Sequence, residues 1–316
     1  MNKYGKCHLC GEEGKLTFEH LPPEKANNNR EAHAIVGDVL MEHIGGTKDP
    51  WDLNGLRYKN LQRGMGGYTL CSECNNNTGN WYANDYINFV NTIGYVLNNK
   101  IEPKKTEAIH MELKEMSPLR IIKQILCMFV STMHPQFLDA HPDLREFIMN
   151  KESNNFDIQK YRISMYILKE PHNGWSGLTV MMYANNKMKT VAYMDLYPVG
   201  YILEINPTED KFNYVLDISN MATDFSYDFK GIMGITLNIL ERNSFFVGDF
   251  RTKEEIKSQV LINKQKTIEI IKQQMEELKI NENVYSNIVQ EYLENKISAG
   301  EFDLKIEEIK KQYQYK

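Results

Sequence analysis

A chain of 316 residues has room for two domains and lies near the upper limit for a single core. With 42% hydrophobic and 25% charged residues it reads as globular, and no apolar run is long enough to span a bilayer. Residues 1–6 lead into a cysteine turn without the apolar core of a secretory signal, so the expected setting is the cytoplasm. A net charge of −5 and a pI near 6.0 argue against wholesale neutralisation of nucleic-acid phosphates, while leaving room for a local basic groove.

Residues 17–21 suit a short strand, ended by Pro22-Pro23 because proline donates nothing to a ladder. From 24 to 67 periodicity is weak and Gly, Asn and Asp are frequent, which predicts a long, partly irregular insertion. Residues 68–70 read as a second short strand. Beyond Cys74 the residues Trp81, Tyr82, Tyr86, Phe89, Val90, Ile93 and Val96-Leu97 recur at helical spacing. A charged stretch, 102–105, holds a proline that ends this helix. Ser117-Pro118 opens a second amphipathic helix carrying Leu119, Ile122, Ile125-Leu126 and Phe129-Val130, and 139–149 forms a shorter third.

The texture changes at Tyr161. Segments 161–168, 178–184, 190–197 and 201–205 are short, rich in Tyr, Val, Ile and Met, and separated by turn residues, which predicts an antiparallel meander. Residues 214–218 and 232–240 are further strand candidates. From Thr252 onward the chain reads as helical, with Ile268, Ile271, Met275 and Leu278 forming a seam too short for a coiled coil. The expectation is an α+β protein in three parts: a zinc-stapled module over 1–100, a mixed helical and antiparallel-sheet domain over 101–250, and a helical segment over 251–316.

Four of the five cysteines fall in two pairs, Cys7-x-x-Cys10 and Cys71-x-x-Cys74. In a chain with no secretory signal, such pairs read as metal ligands before disulfides, and four thiolates make the closed tetrahedral set of structural zinc. Cys127 sits in an apolar stretch and reads as a small core residue. With four thiolates available His8 is not needed as a ligand and is expected to be exposed on its knuckle.

The chemistry lies beside these pairs. Glu19-His20 follows the first by one strand's length, and Asn75 directly follows the second. Phosphodiester hydrolysis needs a base to take a proton from water and a divalent cation to neutralise charge on the phosphate and leaving oxygen. His20 suits the first task at neutral pH, and Glu19 and Asn75 offer the hard oxygen ligands that Mg²⁺ or Mn²⁺ prefers. The order Cys7-x-x-Cys10-Gly11, Leu16-Thr17-Phe18-Glu19-His20-Leu21-Pro22-Pro23, Gly66-Gly67, Leu70-Cys71-x-x-Cys74-Asn75 resembles the zinc-containing branch of the HNH endonucleases, over about residues 4–90.

The resemblance implies a ββα-metal fold, with His20 as general base, Glu19 as an acidic metal ligand and Asn75 completing the site of a catalytic Mg²⁺ or Mn²⁺. It implies hydrolysis leaving a 5′-phosphate and a 3′-hydroxyl, with DNA as the first candidate substrate and restriction or anti-phage defence as a setting. Two positions depart from the family pattern. The middle Asn that orients the catalytic His is Gly66 here, with Asn60, Gln62 or a backbone carbonyl as possible replacements, and the frequent Lys after the last motif residue is Thr78. Arg57, Lys59 and Arg63 could contact phosphates flanking the cut. Trp81 and Tyr82 are expected to pack the helix onto the hairpin. His33, His43, His110, His134, His141 and His172 carry no motif context. The C-terminal region is a candidate for homo-oligomer contacts, and the rival reading is a non-catalytic zinc module that recognises nucleic acid or protein.

Overall fold

Strand β2 (Glu13–His20), in which Leu16 and Glu19 are buried and Glu13 and Lys15 exposed, lies between β1 (Lys3–Lys6) and β5 (Gly66–Cys71) in a three-stranded antiparallel sheet. The intervening strands β3 (Ala32–Ala34) and β4 (Lys59–Leu61) pair with each other. This architecture comes from a computed structural model that describes residues 3–29, 31–35, 37, 39–40, 49, 51–52, 54–62, 64–98, 107–183, 187–244 and 246–314. The charged stretch at 102–105 lies outside the described residues.

Strand β5 passes without a loop into α1 (Ser72–Thr78), which continues through one π-helical turn, Gly79–Ala83, into α2 (Asn84–Asn98). The expected helical spacing holds here, since Tyr82, Tyr86, Phe89, Val90 and Ile93 are all buried. Strand β6 (Ala108–Met116), which periodicity did not reveal, precedes α3 (Pro118–Thr132). Expected to be amphipathic, α3 is buried on nearly every side, with Arg120 alone half-exposed between Pro118 and Ser131. Its buried Lys123 is satisfied by donating from Nζ to the carbonyls of Asn150 at 2.7 Å and Lys151 at 3.2 Å. Two short helices follow, α4 (Phe137–Ala140) and α5 (Pro142–Met149).

The larger sheet comprises β6, β7 (Tyr161–Leu168), β8 (Asn173–Trp175), β9 (Thr179–Tyr183), β10 (Lys187–Leu196), β11 (Val199–Ile205), β12 (Leu216–Asp217) and β13 (Gly231–Leu240). Its order is β6-β13-β7-β11-β10-β8, with β12 beside β7 and β9 beside β10, and every pairing is antiparallel except β13 with β7. The chain is thus mixed α+β. The simple meander is corrected: β9, β10 and β11 follow one another, but β7 pairs with β11 and not with β9. The physical reason is burial. All seven residues of β11 are buried, as are seven of the eight in β7, so these two apolar strands take central places and leave the more exposed β8 and β9 at the edge.

Two compact units emerge. The first joins Met1–Ala32, Leu61–Arg242 and Phe246–Asp249. One continuous core runs through it, from Cys7, Leu70 and Cys74 to Phe129, Ile163, Leu203 and Ile239. The second unit joins His33–Asn60, Asn243–Phe245 and Phe250–Lys316. Its helices α6 (Lys253–Glu277), α7 (Ser286–Leu293) and α8 (Ala299–Gln314) enclose a separate core in which Ile268, Ile271 and Met275 meet Tyr292, Phe302 and Ile306. Helix α6 opens on a reciprocal cap between Thr252 and Glu255. No helix among the described residues is long and apolar enough to cross a membrane.

Gly200 on β11 illustrates how tightly the first core closes. A Cβ there would lie 2.2 Å from Cε2 of Tyr166, a buried ring whose hydroxyl donates to Asp195 and so cannot swing aside. Gly200→Ala is expected to cost about 1–3 kcal/mol by overpacking. A urea titration reads this as a lower midpoint at unchanged slope.

Candidate functional site

The two C-x-x-C turns meet at the junction of β5 and α1. One sulfur atom from each of Cys7, Cys10, Cys71 and Cys74 lies within 4.8 Å of the others. Tetrahedral Zn–S bonds space sulfurs by roughly 3.8 Å, so the four thiols can hold a metal ion such as zinc. Among the described residues no other cluster of three or more His, Cys, Asp or Glu side chains can share an ion. Cys7 and Cys74 are buried, whereas Cys10 and Cys71 face partly outward with their sulfurs 4.0 Å apart. The Cys71 amide points at the Cys7 sulfur from 3.3 Å, and Cys71 itself caps α1 by accepting from the Cys74 amide at 3.5 Å. The Cys74 thiol hydrogen bond, with the amides of Cys71, Cys10 and Leu9, lowers Cys7 to about 4, while burial pushes Cys10 up to about 11.

Contacts from the helical layer lock the first knuckle in place. Arg145 on α5 donates from Nε to the Leu9 carbonyl at 3.0 Å, and its other guanidinium arm binds Asp139 at 2.8 Å. His8 is half-buried, with Nδ1 lying 3.3 Å from the Val130 carbonyl on α3. This corrects the expectation of an exposed His8: the knuckle packs on α3, and burial holds the imidazole below its ordinary pKa.

Strands β2 and β5 carry the Glu19-His20 pair. Their register runs Leu16–Cys71, Thr17–Leu70, then Phe18–Tyr68, Glu19–Gly67 and His20–Gly66, leaving Thr69 as the extra residue of a bulge. The bulge re-aims Thr69: its carbonyl accepts from the His8 amide at 2.9 Å, and its hydroxyl donates to Glu19 Oε2 at 2.9 Å. Ser131 on α3 donates to the same oxygen. Glu19 is 7% exposed, and burial raises its carboxyl to about 7 despite both hydroxyl donors. The Glu19 carboxylate is therefore turned into the protein.

His20 is half-buried, its ring edge-on to Phe18 at 5.0 Å between centroids. Nδ1 is buried with no hydrogen-bond partner among the described residues. Asn75, in the first turn of α1, donates from Nδ2 to Thr17 Oγ1 at 3.0 Å and to the Phe18 carbonyl at 3.3 Å. The helix carboxamide thus grips β2 just before Glu19-His20. No described donor reaches its Oδ1.

The departures from the family pattern have physical reasons. A Cβ at Gly66 would sit 2.1 Å from the Glu19 carbonyl and 2.8 Å from the Phe18 ring, so this packing admits no Asn there. Gln62 does not reach Nδ1 of His20, and Asn60 belongs to the second unit. Thr78 is buried and spends its hydroxyl on the Cys74 carbonyl at 2.9 Å, so it serves the helix and not a ligand. Arg57 and Lys59 are exposed and belong to the second unit, and Arg63 lies outside the described residues. Tyr82 is buried, and its hydroxyl donates to the Ile148 carbonyl on α5 at 2.7 Å.

Pattern reasoning missed three residues that set the site: Ser131, Thr69 and Asn28. Buried Asn28 donates to the carbonyls of Pro22 at 2.7 Å and Met65 at 2.8 Å, and accepts from the Met65 amide at 2.7 Å. It ties the turn after His20 to the start of β5. No local signal marks a lone Asn in a polar loop for this task.

Two measurements check this geometry. Metal analysis is expected to find one zinc per chain, absent from Cys71→Ser, which also loses the cooperative melting of the N-terminal sheet. The second concerns Glu19, whose folded-state pKa of about 7 stands above its ordinary 4.5. Its contribution is fully present below 4.5 and is lost as pH rises through 7, at roughly 1.4 kcal/mol per pKa unit and so about 3 kcal/mol in all. Glu19→Gln keeps an oxygen acceptor without the charge. It is expected to be more stable than wild type at pH 8.5 and indistinguishable at pH 4, as read by urea unfolding at both. No protein-family model, curated protein or solved structure matches the chain, so the reading of the site rests on its own geometry.

Proposed function

We propose that the chain is a metal-dependent nuclease of the HNH type, with DNA as its first candidate substrate. One observation carries the reading: the tetrathiolate junction sets the Asn75 carboxamide against β2 at Thr17 and Phe18, immediately before Glu19-His20. The strand-strand-helix order of β2, β5 and α1 matches what the sequence resemblance implies.

Each residue has a distinct task. His20 takes the proton from the attacking water, its ring held by Phe18 and by the tie between the following turn and Met65. Asn75 is fixed through its nitrogen, which leaves Oδ1 as the ligand-capable atom. Glu19 offers a carboxylate once Thr69 and Ser131 release it. A bound Mg²⁺ or Mn²⁺ supplies charge neutralisation at the phosphate and leaving oxygen. The tetrathiolate site holds zinc as a structural staple.

The inward turn of Glu19 favours a second reading, a zinc-bound recognition module without catalysis. Plasmid nicking separates the two. Wild type is expected to nick in Mg²⁺ or Mn²⁺, and His20→Ala to lose at least about 100-fold in rate, the usual worth of a general base, while keeping its zinc and melting temperature. Wild type that is inert on DNA and RNA in Mg²⁺, Mn²⁺ and Ni²⁺ would establish the recognition module instead.

A further inference from the structure

The second unit displays an aromatic that no core claims. Tyr58 precedes β4 directly, and its ring stacks on His33 of β3 with 4.1 Å between centroids and 19° between planes. With one face covered by the imidazole, Tyr58 is still 56% exposed. Its sequence neighbours Arg57 and Lys59 are exposed, and neither has a carboxylate partner among the described residues. Trp51 of the same unit is a useful contrast: it is half-buried, Lys253 and Lys257 lie over its ring, and Lys257 pairs with Asp49. That aromatic is satisfied within the protein. Tyr58 is not.

We infer that the β3–β4 ribbon is an arm for single-stranded nucleic acid, on which an unpaired base stacks against Tyr58 while Arg57 and Lys59 meet the flanking phosphates. A large ring left in water forgoes the gain of burial, and its stacking on His33 removes ring motion that a ligand would otherwise have to arrest. Aromatic faces recognise bases only when the base is unstacked, which selects single strands, loops and frayed ends over regular duplex. Free cations beside such a face suit the backbone that must follow the base. The inference rests on the reading that this chain acts on nucleic acid, yet binding is measured apart from cleavage.

The test uses the full-length zinc-bound chain carrying His20→Ala, with fluorescence anisotropy of a labelled mixed-sequence oligonucleotide as DNA, as RNA and as DNA duplex. Tyr58→Ala is expected to weaken single-strand binding about tenfold, and Tyr58→Phe, which keeps the ring, by less than about twofold. Replacing Arg57 and Lys59 together by Ala is expected to reduce the log–log salt slope by about 1–2. The DNA and RNA arms show which polymer is preferred. Failure of the parent to bind either single strand overturns the inference, as does equal binding by Tyr58→Ala. An equal loss on duplex also overturns it, because a phosphate clamp without base stacking would suffice. Nicking by wild type that ignores Tyr58→Ala, with binding unchanged, sinks the arm and spares the nuclease. Tyr58-dependent binding with no nicking under any cation spares the arm and sinks the nuclease.

Discussion

Sulfur atoms drawn from positions 61 apart, Cys10 and Cys71, must lie 4.0 Å from one another, and the rest of the N-terminal half is arranged around that requirement. Closing so long an excursion costs chain entropy in the unfolded state, which a bound ion at the four thiols offsets through its ligand bonds. In the closed junction β5 meets β2 in the register that sets Leu16 opposite Cys71. That register sets Glu19 opposite Gly67 and His20 opposite Gly66, while Asn75 holds β2 at Thr17 and Phe18. The thiolate junction also fixes where α1 starts, since Cys71 is both a cluster member and the helix cap.

A second demand competes with the first at Glu19. The module is not a free-standing unit, because its knuckle and strands share a core with α3 and α5. Arg145, Val130 and Ser131 each reach across to it. Packing against α3 buries the carboxyl of Glu19 and supplies hydroxyl donors to satisfy it, which serves stability of the fold below neutral pH. A ligand role asks the same oxygens to face a cation. Under the proposed ligand role this one side chain would have to meet both demands, and its raised carboxyl pKa of about 7 follows from burial.

What could be read in the sequence was local. Paired cysteines announce an ion site because their spacing is itself the geometry of a chelating turn. The period of Tyr82, Tyr86, Phe89 and Ile93 announces a buried helix face, and the short Tyr- and Ile-rich segments announce strands. Partners chosen across the chain could not be read. Ser131 lies 112 positions from Glu19, and Asn28 lies 37 from Met65. Strand order was equally hidden, since β7 pairs with β11 for reasons of burial that alternation within each strand does not encode. A linker-like composition likewise says nothing about which cores merge, and Cys7, Phe89, Phe129 and Ile239 share one.

The π-helical turn at Gly79–Ala83 has a consequence for how this site can vary. It lies between Asn75, which must look toward β2, and Tyr86 and Phe89, which must look into the core. An α-helix turns about 100° per residue, and a π turn carries one residue more than an α turn. Shortening the run by a residue to regularise it would twist its two ends out of phase by that angle. Either the carboxamide would leave the sheet or the aromatic rings would leave their sockets. The irregular turn is the joint that lets one helical rod obey both ends.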